Sequence, residues 1–422
     1  MAYSVPLLVS CLLVIISVSL AQTSFRPRGL VLPVRKDAST QQYVTAIDQR
    51  TPLVRVNLVV HLGGQYLWVD CDNNYSSSTY RPARCHSAQC SLAGATGCGD
   101  CFNGPRPGCN NNTCGLTPDN PFIRTATGGE LAEDAVSVRS TDGSNPGHAV
   151  TVPRFLFVCA PTLLVQGLAG SATGLAGLGR ARVGMPSLFS AAFSFHRKFA
   201  ICLSGSTSSD GVILFGDRPY NFIRVPAPLD AGASLAYSQG EASTEYFIKI
   251  RSIRVNNSPV AVNAMLLDID AEGNGGTKIS TVNQYTLLET SIYRAVVDAF
   301  SRATAGIRRA PAVAPFQVCF ESGSVGSTRV GPGVPNIDLV LQGENAVWTW
   351  TGSNSMVYVN DDVLCLAVVD GGVSPRTAVV IGGHQIEDNL LQFDLAASRL
   401  GFSNTLLGRQ TTCANFNFTS IA

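Results

Sequence analysis

The sequence is poor in charge and nearly empty of lysine. Charged residues fill 14% of its 422 positions and hydrophobic ones 45%, which excludes a disordered chain because the apolar content suffices for a packed core. Thirty basic against 29 acidic side chains leave a formal net charge of +1, too weak a field to gather nucleic acid. Only Lys36, Lys198, Lys249 and Lys278 are lysines, so 26 of the basic residues are arginine, whose planar, permanently charged fork suits carboxylate recognition. The five histidines, His61, His86, His148, His196 and His384, stand singly. With no second cysteine pair and no histidine at finger spacing, Cys98-x-x-Cys101 predicts no metal site. The 40 glycines follow no period, and neither heptads nor 20–50-residue repeats occur, which excludes collagen, coiled coil and solenoid.

Long apolar runs are also missing, with one exception. Leu7–Leu20 is apolar and ends at the small residues Ser19 and Ala21, which predicts a signal peptide over residues 1–21 although no Lys or Arg precedes the run. It is short of the ~20 apolar residues of a span, and no basic stop-transfer cluster follows. The expected protein is therefore exported to the extracellular space, without a membrane partner. Removal of Cys11 leaves twelve cysteines, an even number in an oxidising compartment, and six disulfides are expected. Seven lie close together (Cys71, Cys85, Cys90, Cys98, Cys101, Cys109, Cys114) and five apart (Cys159, Cys202, Cys319, Cys365, Cys413). Both groups are odd, so full pairing demands at least one bridge between them. Asn74, Asn111, Asn256 and Asn417 head glycosylation triplets that agree with export.

Most of the chain reads as short strands and turns. Val54, Val56, Leu58 and Val60 alternate, as do Tyr246, Ile248 and Ile250; Asp338–Leu341 and Val379–Ile381 are short apolar runs, and Gln392–Leu395 with Arg399–Phe402 resembles a hairpin. Helices are few: one is predicted from near Leu287 through Leu288, Ile292, Val296 and Phe300, another from Pro186 through Leu188 and Phe189. The fold class is all-β with minor helices. An approximate two-fold organisation is visible, because each half carries a late apolar-glycine signature, Gly174-Leu-Ala-Gly-Leu-Gly179 and Val379-Val-Ile-Gly-Gly383. Pro219–Pro228 looks like the crossing, which predicts an N-terminal lobe over 22–220 with a cysteine-rich insertion at 71–114, and a C-terminal lobe over 221–422.

Trp68-Val-Asp-Cys71, Gly174–Gly179, Phe199-Ala-Ile-Cys202, Gly211–Asp217, Gly276–Phe300 and Val379–Phe402 resemble, in order and spacing, the secreted plant branch of the pepsin-like aspartic proteases. The resemblance covers nearly the whole mature chain and implies a bilobal pepsin-like fold. In that family each lobe supplies an Asp from an Asp-Thr-Gly or Asp-Ser-Gly turn, and the two carboxyls share a proton to activate one water. The matching positions here read His61-Leu62-Gly63 and Ser280-Thr281-Val282, so neither lobe brings its acid and no enzyme is expected. The flap tyrosine is also missing around Phe122–Gly129. Asp70 and Asp72 near the first turn, and Asp268 and Asp270 before the second, would have to shift by several residues to substitute, and a one-residue slip already turns a strand-end side chain to the other face. Their asparagine- and glycine-rich surroundings also lack the ligand spacing of a calcium loop. A His61–Ser280 nucleophilic pair would lack an orienting acid and an oxyanion hole.

Within the plant branch, Leu67-Trp-Val-Asp-Cys-Asp-Asn-Asn-Tyr75, Arg81-Pro-Ala-Arg-Cys85, Gly276-Thr-Lys-Ile-Ser-Thr281, Pro335-Asn-Ile-Asp-Leu-Val-Leu341, Ile386-Glu-Asp-Asn-Leu-Leu391 and Arg409-Gln-Thr-Thr-Cys413 are similar to the glycoside hydrolase inhibitors of the xyloglucan-specific endoglucanase inhibitor and extracellular dermal glycoprotein type. That resemblance implies a cell-wall protein without cofactor. Its expected partner is a microbial or plant endoglucanase of glycoside hydrolase family 12, blocked at its cleft by a monomer in a 1:1 complex. A retaining cleft presents two carboxyls about 5 Å apart, which an arginine fork can meet bidentately. Ser322–Pro332 offers Arg329 for this and Ser403–Gln410 offers Arg409, and similar inhibitors use loops in these regions. The alternatives are a xylanase inhibitor, a divergent peptidase, and a wall or storage protein like the basic 7S globulins. Trp348 and Trp350, at strand spacing, are expected to pack over the second lobe, and His384 to be structural.

Overall fold

The computed structural model describes residues 26–95, 97–217, 219–220, 230–236 (backbone only), 243–342 and 346–420. The signal peptide at 1–21 and most of the crossing at 219–228 fall outside them. Strands dominate and helices are few.

The two-fold organisation is written in the strand register. In the first half Val54–His61 runs parallel to Gly174–Gly177, with Gly177 opposite His61. Trp68–Asp70 lies antiparallel on the other side of Gly174–Gly177 and parallel to the end of Pro146–Ala160. The second half repeats the arrangement. Thr277–Ile279 runs parallel to Val379–Ile381, while Thr286–Leu288 pairs antiparallel with Val379–Ile381 and parallel with Val368–Asp370. The two apolar-glycine signatures are thus equivalent strands, buried on both faces as parallel pairing requires. Each carries one of the candidate centres on its neighbour.

A shared platform joins the halves. Its order is Gly29–Lys36, Gly211–Gly216, Lys198–Cys202, Leu390–Asp394, Arg399–Phe402 and Asp230–Ala236, all antiparallel. Across it Phe199 stacks on Phe393 at 4.9 Å, and Tyr246 packs on Phe393 at 4.5 Å while donating to the Leu178 carbonyl at 2.7 Å. Such aromatic pairs contribute roughly 0.5–1.5 kcal/mol each beyond their buried area, so the lobes share one core.

Two expectations are corrected. The helix predicted from Leu287 begins at Thr290 and runs to Ala303. Leu287 and Leu288 belong to a strand, and Glu289 caps the helix by accepting from the amides of Ser291 and Ile292 at 2.8 and 3.3 Å. The four-residue stripe itself, Ile292, Val296 and Phe300, is buried. The hairpin arm predicted at Gln392–Leu395 starts two residues earlier, at Leu390. The second helix spans Met185–Phe193 with Pro186 in its first turn, and Trp348 and Trp350 are buried in the second lobe.

Six disulfides form, and one joins the odd groups. Cys85–Cys98, Cys90–Cys114 and Cys101–Cys109 close the cysteine-rich insertion, Cys71–Cys159 ties it to the first lobe, Cys319–Cys365 lies in the second, and Cys202–Cys413 links the platform to the C-terminal segment. The Cys202–Cys413 bridge closes 211 residues. Replacing both cysteines by serine is expected to lower stability by about 2–4 kcal/mol, read as a shift of the urea midpoint.

Candidate functional site

The floor of the cleft is built where the two equivalent strands end. His61 closes Val54–His61, and its carbonyl accepts from Gly64 and Leu178 at 3.0 Å each. Ser280 follows Thr277–Ile279 and donates its amide to Ile381 at 2.9 Å. The turns touch through Thr281, whose hydroxyl donates to the Val60 carbonyl at 2.7 Å and accepts from the Leu62 amide at 3.0 Å. Leu62 has no hydroxyl to return the contact, so the tie runs one way. The Ser280 hydroxyl is engaged locally: it donates to Asn283 Oδ1 at 3.0 Å and accepts from the amides of Val282 and Asn283. Burial and the Lys278 charge outweigh Asp119 and Glu245 and hold the His61 imidazole below its ordinary pKa. An imidazole held below its ordinary pKa and an internally bonded hydroxyl therefore stand at the two turns.

The neighbouring acids are occupied elsewhere. Asp70 accepts from Thr162, Asp72 and Asn73 at 2.9–3.1 Å, and Asp72 meets Arg106 at 3.6 Å. Asp268 pairs with Lys249 at 2.7 Å, and Asp270 accepts from the Asn274 amide at 2.7 Å. All four have partners away from the two turns. Beside the floor lies a cavity of about 550 Å³, lined among others by Gln65, Glu245, Lys278, Asn283 and Arg376, with Glu245 and Lys278 paired at 2.7 Å.

None of the residues of the predicted arginine loops lines that cavity. Arg329 is exposed at the tip of a tight hairpin that pairs Ser327–Thr328 with Gly331–Pro332. The hairpin is clamped on the short helix Gly352–Ser355, where Ser353 donates its amide to the Val330 carbonyl at 2.8 Å. A Cβ on Gly352 would stand 1.9 Å from the Pro332 carbonyl oxygen, so only glycine allows that approach. Arg409 is exposed at the end of the turn Leu406–Arg409, which is anchored by fully buried Leu406 and by Asn404, whose side chain accepts from the Thr349 amide at 2.8 Å. A Cβ on Gly408 would sit 3.5 Å from Val330 Cγ1. The two loops, read as separate candidates, are therefore in contact. No Asp or Glu occurs between Glu321 and Asp338, or after Asp394.

Behind this face lies a polar cluster that the sequence reading missed. Buried Glu387 accepts from the Tyr43 hydroxyl at 2.6 Å and pairs with Lys36 at 2.8 Å and His384 at 3.3 Å. Burial pushes its carboxyl up, but the His384 hydrogen bond and charge and the Lys36 charge prevail and hold its pKa below the ordinary value. His384 also contacts the Met356 carbonyl at 2.9 Å, the structural role expected for it. Asn354 donates to the carbonyls of Glu387 and His384 at 2.8 and 3.3 Å, which connects the cluster to the helix that clamps the Arg329 hairpin. The available signal was two adjacent acids between Ile386 and Leu390 in a chain so short of charge, together with Lys36 as one of four lysines.

Asn74, Asn111, Asn256 and Asn417 are all exposed. Cys85, His86 and Cys98 form the one metal-like grouping among the described residues; the two cysteines are joined as a disulfide, so they present no thiolate. No helix among the described residues is long and apolar enough to cross a membrane.

Comparison with known proteins agrees with this architecture. Residues 43–217 match the family described as xylanase inhibitor N-terminal, and residues 245–404 the one described as xylanase inhibitor C-terminal. A Nicotiana benthamiana protein named probable aspartic proteinase GIP2 is 60% identical over 99% of this chain and 98% of its own. Gamma conglutin 1 of Prunus dulcis is 44% identical over 93% and 90%. Among solved structures, that of EDGP superposes with a TM-score of 0.89 at 63% identity, covering 94% of this chain and 100% of the other. Soybean basic 7S globulin gives 0.82 at 37% identity, over 93% and 100%.

Proposed function

The chain belongs to the xylanase-inhibitor family of pepsin-like proteins, and we propose that it is a secreted, proteolytically inactive inhibitor of a cell-wall-degrading endoglucanase. In this reading a monomer binds a xyloglucan-specific enzyme of glycoside hydrolase family 12 one to one, and Arg329 and Arg409 enter the cleft together. The observation that supports the reading is the close approach of the two loops at Val330 and Gly408, on segments whose sequences contain no acidic residue. A guanidinium fork can meet bidentately the paired carboxyls of a retaining glycosidase, which lie about 5 Å apart. Both loops are held in place before binding, by the Ser353–Val330 and Thr349–Asn404 bonds, so little ordering entropy remains to be lost on docking.

The test is a panel of purified family 12 endoglucanases and xylanases, of microbial and plant origin, titrated with the protein. Tight inhibition of a xyloglucan-specific enzyme supports the reading. Inhibition confined to xylanases would replace it with the second reading, which the family description favours. No inhibition anywhere would overturn both.

The name of the Nicotiana relative points to proteolysis. We read His61 and Ser280 as standing where the family's two acids belong. Activating water needs two carboxyls sharing a proton, and the Ser280 hydroxyl donates to Asn283 and so does not offer its proton to His61. Incubation with unfolded protein between about pH 3 and 6 should yield no fragments by mass spectrometry. Cleavage abolished by Ser280→Ala or His61→Ala would restore the peptidase reading.

A further inference from the structure

The shared platform carries a basic pocket at one end. Gly29 pairs with Gly216, and Phe199 with Phe215. The start of Gly29–Lys36, the end of Gly211–Gly216 and the start of Lys198–Cys202 therefore lie side by side. Together with the end of the helix Met185–Phe193, the segments entering and leaving these strands border a cavity of about 720 Å³. Arg26, Arg28, Phe193, His196, Lys198 and Asp217 are among its lining residues. Arg26 and Arg28 flank buried Pro27 and are both exposed. The Asp217 amide holds this stretch by donating to the Arg28 carbonyl at 2.9 Å.

The charge in the pocket does not balance. Asp217 is the one acid among the described residues that line it, and its carboxylate is already engaged. Lys198 meets it at 3.1 Å, the His196 imidazole at 2.9 Å and the His196 amide at 3.1 Å. Lys198 and Asp217 cancel. What remains is a pair of guanidinium groups, on Arg26 and Arg28, with no ion pair or side-chain hydrogen bond to any described residue. No Asp or Glu occurs in 22–36 or in 193–209. A chain of net charge +1 thus concentrates unpaired positive charge at one concave site, which favours an anion there.

We propose that this pocket is a second binding site and that it takes a polyuronate, an acidic polysaccharide bearing a carboxylate on successive sugars. It is separate from the arginine loops, since no residue of 322–332 or 403–410 lines it, and it does not depend on the inhibitor reading. Each guanidinium fork is satisfied by one carboxylate through paired N–H donors, so two forks on separate residues call for a repeating anion. Exposure of Arg26, Arg28 and His196 leaves room for a chain to run on past them, and Phe193 supplies an apolar wall for the C–H face of a sugar ring. The observations favour a polysaccharide over a membrane. None of the exposed large apolar side chains, such as Phe102 and Met265, lines the pocket, and stable attachment to a bilayer needs an apolar anchor beside the charge.

The test titrates the protein with oligogalacturonate, with the same oligomer fully methyl-esterified, with inorganic phosphate, and with vesicles containing an anionic lipid. Saturable binding of the free-acid oligomer is expected, weakening as salt is raised because the contacts are exposed charges, with none of the ester. Replacing Arg26 and Arg28 together by alanine should lower the affinity about ten- to a hundredfold. Neither side chain has a partner within the described fold, so the variant should fold as the wild type does. Arg26→Lys with Arg28→Lys should recover only part of the loss. Arg251→Ala with Arg302→Ala removes the same charge at exposed positions outside the pocket and should change the affinity less than about twofold. Equal losses in the two alanine pairs would reveal a diffuse charge effect and overturn the site. Binding of the ester as tight as that of the acid, phosphate bound as tightly as the oligomer, or attachment to vesicles without binding of the oligomer would each overturn the polyuronate assignment.

Discussion

Replacing Arg329 and Arg409 together by alanine should abolish inhibition of the target endoglucanase, and Arg329→Ala alone should weaken it while leaving thermal unfolding unchanged. Each arginine, once buried against a carboxylate of the partner, is expected to contribute about 2–5 kcal/mol, which is roughly 30-fold to several thousand-fold in the inhibition constant. Contact between the loops, through Val330 and Gly408, predicts coupling. The single substitutions should not sum to the double one, because loss of either fork leaves its neighbour less well seated. Arg329→Lys should recover only part of the loss, since an ammonium keeps the charge but not the planar pair of donors. For Arg329→Ala alone unfolding should not change, because that side chain is exposed and its hairpin is clamped through Val330 instead. Inhibition that survives the double substitution would remove the cleft-insertion mechanism.

The second large effect concerns stability. Lys36→Met should destabilise the fold by about 3–5 kcal/mol, because it strips a buried carboxylate of its nearest cation. Lys36 and Glu387 sit on different lobes and are each under a tenth exposed at the side chain, so water cannot replace the lost partner. The pH dependence has a definite sign. Glu387 is held below its ordinary pKa of 4.5, so the stability it contributes is present above that value and lost as pH falls through the lower, folded one. The gap between wild type and Lys36→Met should therefore be widest near neutral pH and close in strong acid. Denaturant unfolding at several pH values measures it. Replacing Glu387 by leucine in the same chain should recover much of the loss, because an apolar pair leaves no charge unpaired. A gap that does not vary with pH would show that packing of the lysine stem, not its charge, is what matters.

Much of the architecture was legible because it rests on short-range pattern. The alternation Val56, Leu58, Val60 and the four-residue stripe Ile292, Val296, Phe300 each mark a buried face, since side-chain direction repeats every two residues in a strand and about every four in a helix. The helix start was misread because Leu287 and Leu288 continue the stripe. Their apolar side chains satisfy a strand register as well as a helical one, and pairing with Val368–Asp370 decided between them. At the candidate site the sequence singles out His61 and Ser280, but the engagement of Ser280 with Asn283 was not legible in it. Nor was the cluster on Glu387, whose partner Tyr43 lies 344 positions away.

The amino-acid sequence by itself determined that the chain is a two-fold β protein, that its cysteines must form at least one bridge between the two odd groups, and that its positive charge is almost wholly arginine. These properties depend on residue chemistry and local period. Tertiary structure alone decided which cysteines pair, that the loops carrying Arg329 and Arg409 approach each other at Val330 and Gly408, and that Lys36 pairs with Glu387. Each of these joins positions far apart in the chain. Local preference carries no record of such neighbours, which are fixed only when the buried faces of both halves pack on the shared platform.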